Sequence, residues 1–337
     1  MLESLRNFWS RHRSLFWTLH SVWAFAAGVS VIVISHERYE FVPWAILFLL
    51  LTWLTTLYFG RTIGSSGTDE KKGPPGLKKE VVSYLTRAMY QQTLFFLLPF
   101  YWYSTVVKSM NVVLLVVLAA LAAFSCVELV FDRWLRTKPV FGLIFFATVA
   151  FAAINLLIPL LVPIDPAYAT PMAAFVAIGS AIPLAMRSSI GGWMHRVRFG
   201  LACVILLVVG LGLPELVPPV PLRLQKAVFT RGIDRETLVP ADTLMSPVAS
   251  QQVGATLYVI VKVFAPSIVP TEAKLEWYRD GELFRESREV AITAHELGFR
   301  IWDGFRPRSG QVRSGRYEVV LRTGEGRVFG RTALEIL

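Results

Sequence analysis

The histidines, serines and glycines of this 337-residue chain do not form a recognisable catalytic motif. No two histidines have the spacing of metal ligands; they are His12, His20, His36, His195 and His295. His295-Glu296 lacks the second histidine that the zinc-protease motif HExxH requires. No GxSxG nucleophile motif occurs, and Gly324-Glu325-Gly326 lies between two predicted strands rather than at a strand-to-helix phosphate loop. We therefore expect no catalytic residue, no metal site and no cofactor.

Arg87 and Glu128 are the two full charges that lie well inside predicted membrane helices. Arg87 is about two turns from the cytoplasmic end of its helix, and Glu128 is about one turn from the same end of the next helix. Because charges in hydrocarbon are costly, two charges at similar depth are expected to pair. One interpretation is a gate or proton site; the other, which we favour, is a structural ion pair or two snorkelling side chains.

A tryptophan flanked by arginines is the strongest candidate for ligand binding. Alternation along the predicted strand turns Arg300 and Trp302 outward, and Arg306 and Arg308 follow them. An exposed indole beside guanidinium groups suits stacking on a sugar, or holding an anionic headgroup or polymer. The commoner alternative is that Trp302 packs under a loop or against the helical part, with the arginines merely solvated.

Long apolar runs precede this candidate site. Hydrophobic residues make up 54% of the chain and charged residues 17%, against about 25% charged in a typical soluble protein. Seven runs approach the roughly 20 residues that cross a bilayer core. The seven predicted spans are Ser14–Ser35, Phe41–Gly60, Val81–Val107, Ser109–Phe131, Pro139–Val162, Pro171–Met186 and Phe199–Val217. The sixth is short, and starting it near Ala167 restores a full span.

The distribution of basic residues among the loops supports this count. If the N-terminus is cytoplasmic, every inner segment carries arginine or lysine, whereas the outer loops carry only Arg38 and Lys108. Such an asymmetry follows the positive-inside rule and places the C-terminal part outside the cytoplasm. The net charge of +10 therefore reflects membrane topology in part, and we expect no nucleic-acid partner.

Alanines at every fourth position mark one face of the sixth predicted helix. They are Ala173, Ala177, Ala181 and Ala185. A face of small residues lets a neighbouring helix approach closely. The neighbour is either another helix of this chain, which we favour, or a second copy.

The chain changes character after Val217. Residues 218–221 form a proline-rich linker, and from Leu222 onward apolar residues recur at every second position, which is typical of half-buried strands. Asp280-Gly281 predicts a two-residue hairpin. Seven or so short strands predict an immunoglobulin-like antiparallel sandwich over residues 222–337. The expected fold is thus a seven-helix transmembrane bundle over residues 1–217, followed by this all-β domain.

Short motifs in the β domain carry a resemblance to a known family. They are Trp277-Tyr278-Arg279-Asp280-Gly281, Gly298-Phe299-Arg300-Ile301-Trp302, Gly315-Arg316-Tyr317-Glu318-Val319 and Gly326-Arg327-Val328. They resemble an uncharacterised family of proteobacterial multi-pass membrane proteins with a C-terminal extracytoplasmic β domain of unknown function. The resemblance covers about the last 110 residues and implies a bacterial envelope setting, with no activity to carry over.

The function expected from the sequence is non-catalytic. An inner-membrane protein would present a periplasmic β-sandwich that binds an envelope component or a protein partner, as a scaffold or sensor. Its partners would be the lipid bilayer and a periplasmic glycan, a lipid headgroup or a protein. The alternative is a transporter, or a lipid- or glycan-handling accessory that uses the helical bundle. The oligomeric state is not determined by the sequence.

Overall fold

The computed structural model describes residues 77–127, 131, 134, 138–162, 166–187, 193–234, 236–265, 271–293, 295–308, 310–324 and 326–337, with isolated helical positions before residue 77. The chain divides into two compact units. The first comprises Met1–Pro99, Val116–Ile154 and Ala173–Val208. The second comprises Phe100–Leu115, Asn155–Met172 and Val209–Leu337. The second unit therefore combines segments at helix ends with all of the β strands.

Six helices lie within the described residues, and three of them are long and apolar enough to cross a membrane. The helices are α1 Leu77–Ser104, α2 Val112–Cys126, α3 Pro139–Leu161, α4 Pro166–Arg187, α5 Trp193–Gly212 and the four-residue α6 Ser250–Val253. The three candidate spans are Val140–Leu161 in α3, Tyr168–Met186 in α4 and Trp193–Gly212 in α5. The chain is helical first and β-rich afterwards, as the sequence predicts.

The prediction of seven transmembrane helices is wrong for this structure. The predicted fourth span, Ser109–Phe131, contains a helix of only 15 residues, which at ~1.5 Å per residue extends about 22 Å and is shorter than the ~30 Å hydrocarbon core. Helix α1 has 28 residues but is not among the candidate membrane spans, and its middle carries the polar residues Arg87, Gln91 and Gln92. The first two predicted spans lie outside the continuously described residues.

The helical part of the first unit packs through aromatic and small residues. The rings of Phe124, Phe131, Trp134, Phe141 and Phe145 contact one another edge to face or at a tilt. The alanine face of α4 is largely covered. Three of its members are buried (Ala173, Ala177 and Ala181), and Ala185 is half-buried. Close approach at this face agrees with the small size of its side chains.

The proposed ion pair cannot be placed by this structure. Arg87 lies within α1, but only its backbone is described, and Glu128 lies outside the described residues. The hypothesis that they pair therefore stays a prediction.

The β strands of the second unit form two antiparallel sheets and a small hairpin. The strands are β1 Arg223–Thr230, β2 Ile233–Asp234, β3 Val239–Pro240, β4 Thr243–Leu244, β5 Leu257–Ala265, β6 Thr271–Arg279, β7 Glu282–Glu286, β8 Val290–Ile292, β9 His295–Phe305, β10 Gly315–Thr323 and β11 Val328–Ile336. The first sheet has the order β4-β1-β5-β9. The second has the order β11-β10-β6-β7, with β8 also paired to β6, and β2 pairs with β3.

Period-two alternation correctly predicts the inner faces of these sheets. Its buried members on β5, β6 and β10 are Leu257, Val259, Val261, Val263, Leu275, Trp277, Tyr317, Val319 and Leu321. They form one hydrophobic core shared by both sheets. The predicted two-residue hairpin is also confirmed, because Asp280 and Gly281 join β6 to β7 with φ values of 50° and 90°, which suit a type I′ turn.

A buried chain of hydrogen bonds runs through the helix-end segments of the second unit. Thr170 Oγ1 donates to Asn155 Oδ1 at 2.9 Å, and Asn155 Nδ2 donates to Tyr101 Oη at 3.1 Å. All three side chains are at most 2% exposed. Because each side chain satisfies a polar atom of the next, these polar groups are tolerated away from water.

Two further contacts join the helix-end segments to strands. Asn111 Nδ2 donates to the carbonyl oxygen of Val328 at 3.0 Å. The guanidinium carbon of Arg223, at the start of β1, lies 4.8 Å from the ring centre of Tyr103 and 4.7 Å from that of Phe264. The β strands are thus packed onto the 100–115 segment by specific polar and cation–π contacts.

Candidate functional site

Arg300 and Trp302 lie on β9, an edge strand of the first sheet, and both are exposed. Their neighbour Ile301 points into the core and is 3% exposed, as alternation predicts. Strand β9 pairs with β5 so that Arg300 lies opposite Lys262 and Trp302 lies opposite Ile260. The two predicted binding residues therefore lie on the outer face of the first sheet, where β1, β5 and β9 are neighbours.

Three basic side chains lie side by side across this outer face. The β1–β5 register places Lys226 opposite Lys262, and the β5–β9 register places Lys262 opposite Arg300. We call Lys226, Lys262 and Arg300 the cationic row. Like charges directly opposite each other destabilise a sheet. Within the described part of the chain, none of the three forms a salt bridge with a carboxylate.

The side chain of Lys262 depends on a glycine for its path. Gly298, at φ +93°, lies where an added Cβ would be 2.9 Å from Lys262 Cε and 2.7 Å from Gln225 Oε1. Any larger residue would push both side chains aside, besides being strained at this φ. Gly298 therefore leaves room for the Lys262 side chain to lie across β9 beside Gly298, two residues from Arg300.

Arg300 is anchored by one part of its guanidinium. Nη1 donates to the carbonyl oxygen of Thr237 at 2.8 Å and contacts that of Leu238 at 3.4 Å. Both carbonyls belong to the turn between β2 and β3. No described residue accepts a hydrogen bond from Nε or Nη2. The edge formed by these two nitrogens has the fork geometry that binds a carboxylate or phosphate with two hydrogen bonds.

An aromatic surface adjoins the cationic row. Trp302 is 38% exposed, and its ring centre lies 6.3 Å from that of Tyr258 at an interplanar angle of 58°. Tyr258 lies opposite Gly304, where an added Cβ would overlap the tyrosine ring. We call Trp302 and Tyr258 the aromatic platform. The absence of a side chain at Gly304 lets the tyrosine ring lie over β9, close to Trp302.

The outer face of the second sheet has a different electrostatic arrangement. Three of its basic side chains are paired: Arg322 Nε lies 2.6 Å from Glu276 Oε2, Lys274 Nζ lies 3.1 Å from Glu286 Oε2, and Arg331 Nη1 lies 3.1 Å from Glu318 Oε1. Much of the positive charge of this face is therefore neutralised internally. Among the residues that the structure describes, no carboxylate pairs with the cationic row, which is the main electrostatic difference between the two faces.

Glu276 is the centre of the paired face. Burial opposes ionisation of its carboxyl group, but hydrogen bonds from Arg322 and Tyr278, together with the charges of Arg322 and Lys274, outweigh burial and lower its pKa. For Tyr278, burial and the hydrogen bond to Glu276 both raise the pKa. The carboxylate is thus held ionised by its neighbours.

This arrangement predicts acid sensitivity of the β domain. Because the folded-state pKa of Glu276 lies below the ordinary glutamate value of about 4.3, its contribution is complete above that value and is lost as the pH falls through the lowered pKa. We expect Glu276→Gln to be less stable at pH 7 by about 1–3 kcal/mol and to lose less stability between pH 5 and pH 3. Thermal unfolding at stepped pH measures both effects. The exposed Glu282→Gln variant is the control, and equal pH slopes for Glu276→Gln and wild type would contradict the prediction.

Arg306 and Arg308 do not belong to the cationic row. Both follow the end of β9 at Phe305 and are exposed. They lie outside the paired strands, so no register aligns them with Lys262 or Lys226. Of the four predicted ligand-binding residues, the structure brings Arg300 and Trp302 together on one sheet face.

Lys226, Lys262 and Tyr258 are the members of the site that sequence reasoning did not single out. Alternation on β5 already turns Tyr258 and Lys262 to the same side, so their orientation was readable from the sequence. Their proximity to Arg300 and Trp302 depends on strand order and register instead. A search for basic residues on outward positions of several predicted strands would have included Lys226 and Lys262, but not Tyr258.

Asp303 is a second residue that the sequence did not single out, and its role is structural. It faces inward, with a side chain that is 14% exposed. Trp277 Nε1 donates to Asp303 Oδ2 at 2.9 Å, and Arg285 donates to both carboxylate oxygens at 3.1 Å and 3.3 Å. Asp303 thereby ties β9 of the first sheet to β6 and β7 of the second.

Comparison with known protein families gives a match over most of the chain. A family described as "Family of unknown function (DUF5924)" matches residues 1–259, which include the described helices α1–α6 and the strands up to the third residue of β5. The four motifs on which the resemblance rested begin at Trp277, so they lie beyond the matched residues. No curated protein and no solved structure matches the chain. Because the match covers residues 1–259 of 337, the chain belongs to this uncharacterised family.

Proposed function

We propose that this protein is a non-catalytic bacterial inner-membrane protein whose β domain binds an anionic component of the cell envelope on the periplasmic side. The binding surface is the outer face of the first sheet, with the cationic row as its charged part. Three helices of suitable length and apolarity support membrane attachment. Around these three helices, arginine and lysine lie before the first and between the second and the third, which favours the cytoplasm for those ends and the periplasm for the segment after the third.

The cationic row is the observation that carries this proposal. Three adjacent basic residues repel one another, so folding brings them together at a cost. The second sheet shows that this domain pairs basic side chains with carboxylates on its other outer face. A row that pairs with no described carboxylate, with a guanidinium edge that no described residue engages, therefore suits an anion supplied from outside the domain.

Binding of tetraphosphate to the full-length protein in neutral detergent tests the proposal. We expect binding that weakens with added salt, because exposed charges are screened. The triple variant Lys226→Ala, Lys262→Ala and Arg300→Ala is expected to bind at least about tenfold more weakly, since each lost charge-assisted hydrogen bond contributes of order 1 kcal/mol or more. Isothermal titration calorimetry gives the affinities.

A charge-matched variant provides the control. Arg288, Arg313 and Arg316 are exposed and lie away from the cationic row, so replacing all three by alanine removes the same net charge. We expect this control to bind tetraphosphate almost as tightly as wild type. Equal losses in the two triple variants would show that only net charge matters, and no binding by wild type would remove the proposal.

A further inference from the structure

The outer face of the first sheet has two chemically distinct parts at a fixed separation. The cationic row crosses β1, β5 and β9, and two residues along the strands lies the next outward row, which contains Val228, Ile260 and Trp302. Two residues of a β strand span about 7 Å, and three neighbouring strands span about 10 Å. A ligand that contacts both rows would therefore carry its charged group about 7 Å from its apolar group, which is roughly the width of one small ring.

The apolar part has the form of a platform. Ile260 is 6% exposed and lies between Val228 and Trp302 in the register. The indole of Trp302 therefore rests beside a covered aliphatic side chain, with Tyr258 held next to it over Gly304. A few polar groups beside aromatic and aliphatic side chains are the usual composition of a site for a small ring-containing ligand.

From this juxtaposition we infer that the ligand is an acidic saccharide, a sugar chain that carries carboxylate or phosphate groups. This inference rests on the proposed function and adds the chemical class of the ligand. The cationic row binds the acidic groups, and the aromatic platform packs against the apolar face of a neighbouring sugar ring.

The shape of the surface favours this ligand over a lipid surface. Helices and lipid anchors that bind bilayers insert an apolar face by ~5–10 Å. Trp302 instead lies within the paired part of strand β9, and 38% of it is exposed. A tryptophan held within a hydrogen-bonded strand suits contact with a chain that lies across the sheet better than insertion into hydrocarbon.

The test compares four probes on the full-length protein in neutral detergent. They are tetragalacturonate, its neutral methyl ester, tetraphosphate and a thymidine tetranucleotide. We expect tetragalacturonate to bind at least about tenfold more tightly than either the ester, which lacks the charge, or tetraphosphate, which lacks the ring. Tighter binding of the tetranucleotide than of tetragalacturonate would overturn the inference in favour of nucleic acid.

Variants of Trp302 separate the two parts of the site. Trp302→Ala is expected to weaken tetragalacturonate binding about tenfold and to leave tetraphosphate binding unchanged, which also shows that the domain remains folded. Trp302→Phe is expected to restore most of the affinity, because it keeps an aromatic face.

The two proposals fail in different ways. If tetraphosphate binds through the cationic row but Trp302→Ala has no effect on tetragalacturonate, the saccharide inference is wrong and the anion-binding function stands. If neither tetraphosphate nor tetragalacturonate binds to wild type, both proposals are wrong. If anionic lipid vesicles bind while tetragalacturonate does not, the ligand is a lipid surface and the saccharide inference is overturned.

Discussion

Replacing Asp303 by alanine is expected to destabilise the β domain by about 2–3 kcal/mol, because it removes the only described acceptor of the Trp277 indole N–H and the partner of Arg285. Trp277 is fully buried, so its N–H would have no water to replace the lost carboxylate. Arg285 is partly exposed and keeps access to solvent. Most of the cost therefore comes from the indole and from the lost connection between the sheets.

Hydrogen exchange followed by mass spectrometry measures this effect locally. Amides of β6 and β9 are expected to exchange roughly 30- to 150-fold faster in Asp303→Ala, the ratio that corresponds to about 2–3 kcal/mol if they exchange through opening of the domain. Asp303→Asn keeps an acceptor for the indole and is expected to be intermediate. The exposed Asp242→Ala is the control. If Asn is as damaging as Ala, the charge rather than the indole hydrogen bond is responsible.

Asp303 also matters for the proposed site, because it adjoins Trp302 in β9. Strand β9 is an edge strand and is held in its own sheet by β5 alone. The bond from Asp303 to Trp277 and Arg285 adds an attachment to the second sheet. We therefore expect Asp303→Ala to weaken ligand binding indirectly, in proportion to its loss of stability rather than with selectivity for one probe.

The second large effect is expected for Asn155→Ala, which should lower the free energy of unfolding of the full-length protein by about 2–3 kcal/mol. Asn155 is the central member of the buried chain from Thr170 to Tyr101. Its removal leaves the Thr170 hydroxyl and one side of Tyr101 Oη without these hydrogen bonds, and it opens a small cavity. Thermal unfolding of the protein in neutral detergent, followed by circular dichroism, reports the loss.

A helix-matched control and a double-mutant cycle sharpen this prediction. Thr148 lies on the same helix, α3, and its hydroxyl donates only to the carbonyl of Ile144 one turn earlier, so Thr148→Ala is expected to be mild. Asn155→Ala and Thr170→Val remove the same hydrogen bond, and their combined effect should be clearly smaller than the sum of the two. Additive effects would show that the two side chains act independently.

The role of Asn155 also bears on the transporter alternative. A transport path needs polar groups that converge on a cavity near mid-depth. Asn155 has its amide engaged on both sides by Thr170 and Tyr101. Gln91, another polar residue of the helical part, donates to the sulfur of Cys126 at 3.1 Å. Within the described residues, the side chains of Asn155 and Gln91 are therefore both hydrogen-bonded inside the protein, which does not favour the transporter alternative.

The sequence alone determined which side chains of the β domain face inward. Alternation placed Trp277, Tyr317 and Ile301 in the core, because successive side chains of a strand point to opposite faces. It also turned Arg300, Trp302 and Lys262 outward, and it located the Asp280-Gly281 turn, whose conformation only a few residue types adopt readily. These are local properties, and the local sequence is sufficient for them.

Helix length was predicted less well, because hydropathy does not mark where a helix ends. The apolar run from Ser109 to Phe131 is long enough to span a membrane, yet α2 begins at Val112 and its last residue is Cys126. Conversely, α4 begins at Pro166, five residues before the short predicted span. Proline is well tolerated in the first turn of a helix, so α4 begins at Pro166, close to the alternative start near Ala167, and it continues through Pro171 in its second turn.

Only the tertiary structure decided which outward residues become neighbours. Lys226, Lys262 and Arg300 are far apart in sequence, and they form the cationic row because β5 pairs with β1 on one side and β9 on the other. A register shift of one residue would turn one of them to the opposite face. In the second sheet, the pairing of β6 with β10 brings Arg322 next to Glu276, and Lys274 approaches Glu276 from two residues away on the same strand. Strand order and register are long-range properties, and they separate a sheet face with paired charges from one on which three basic residues lie side by side.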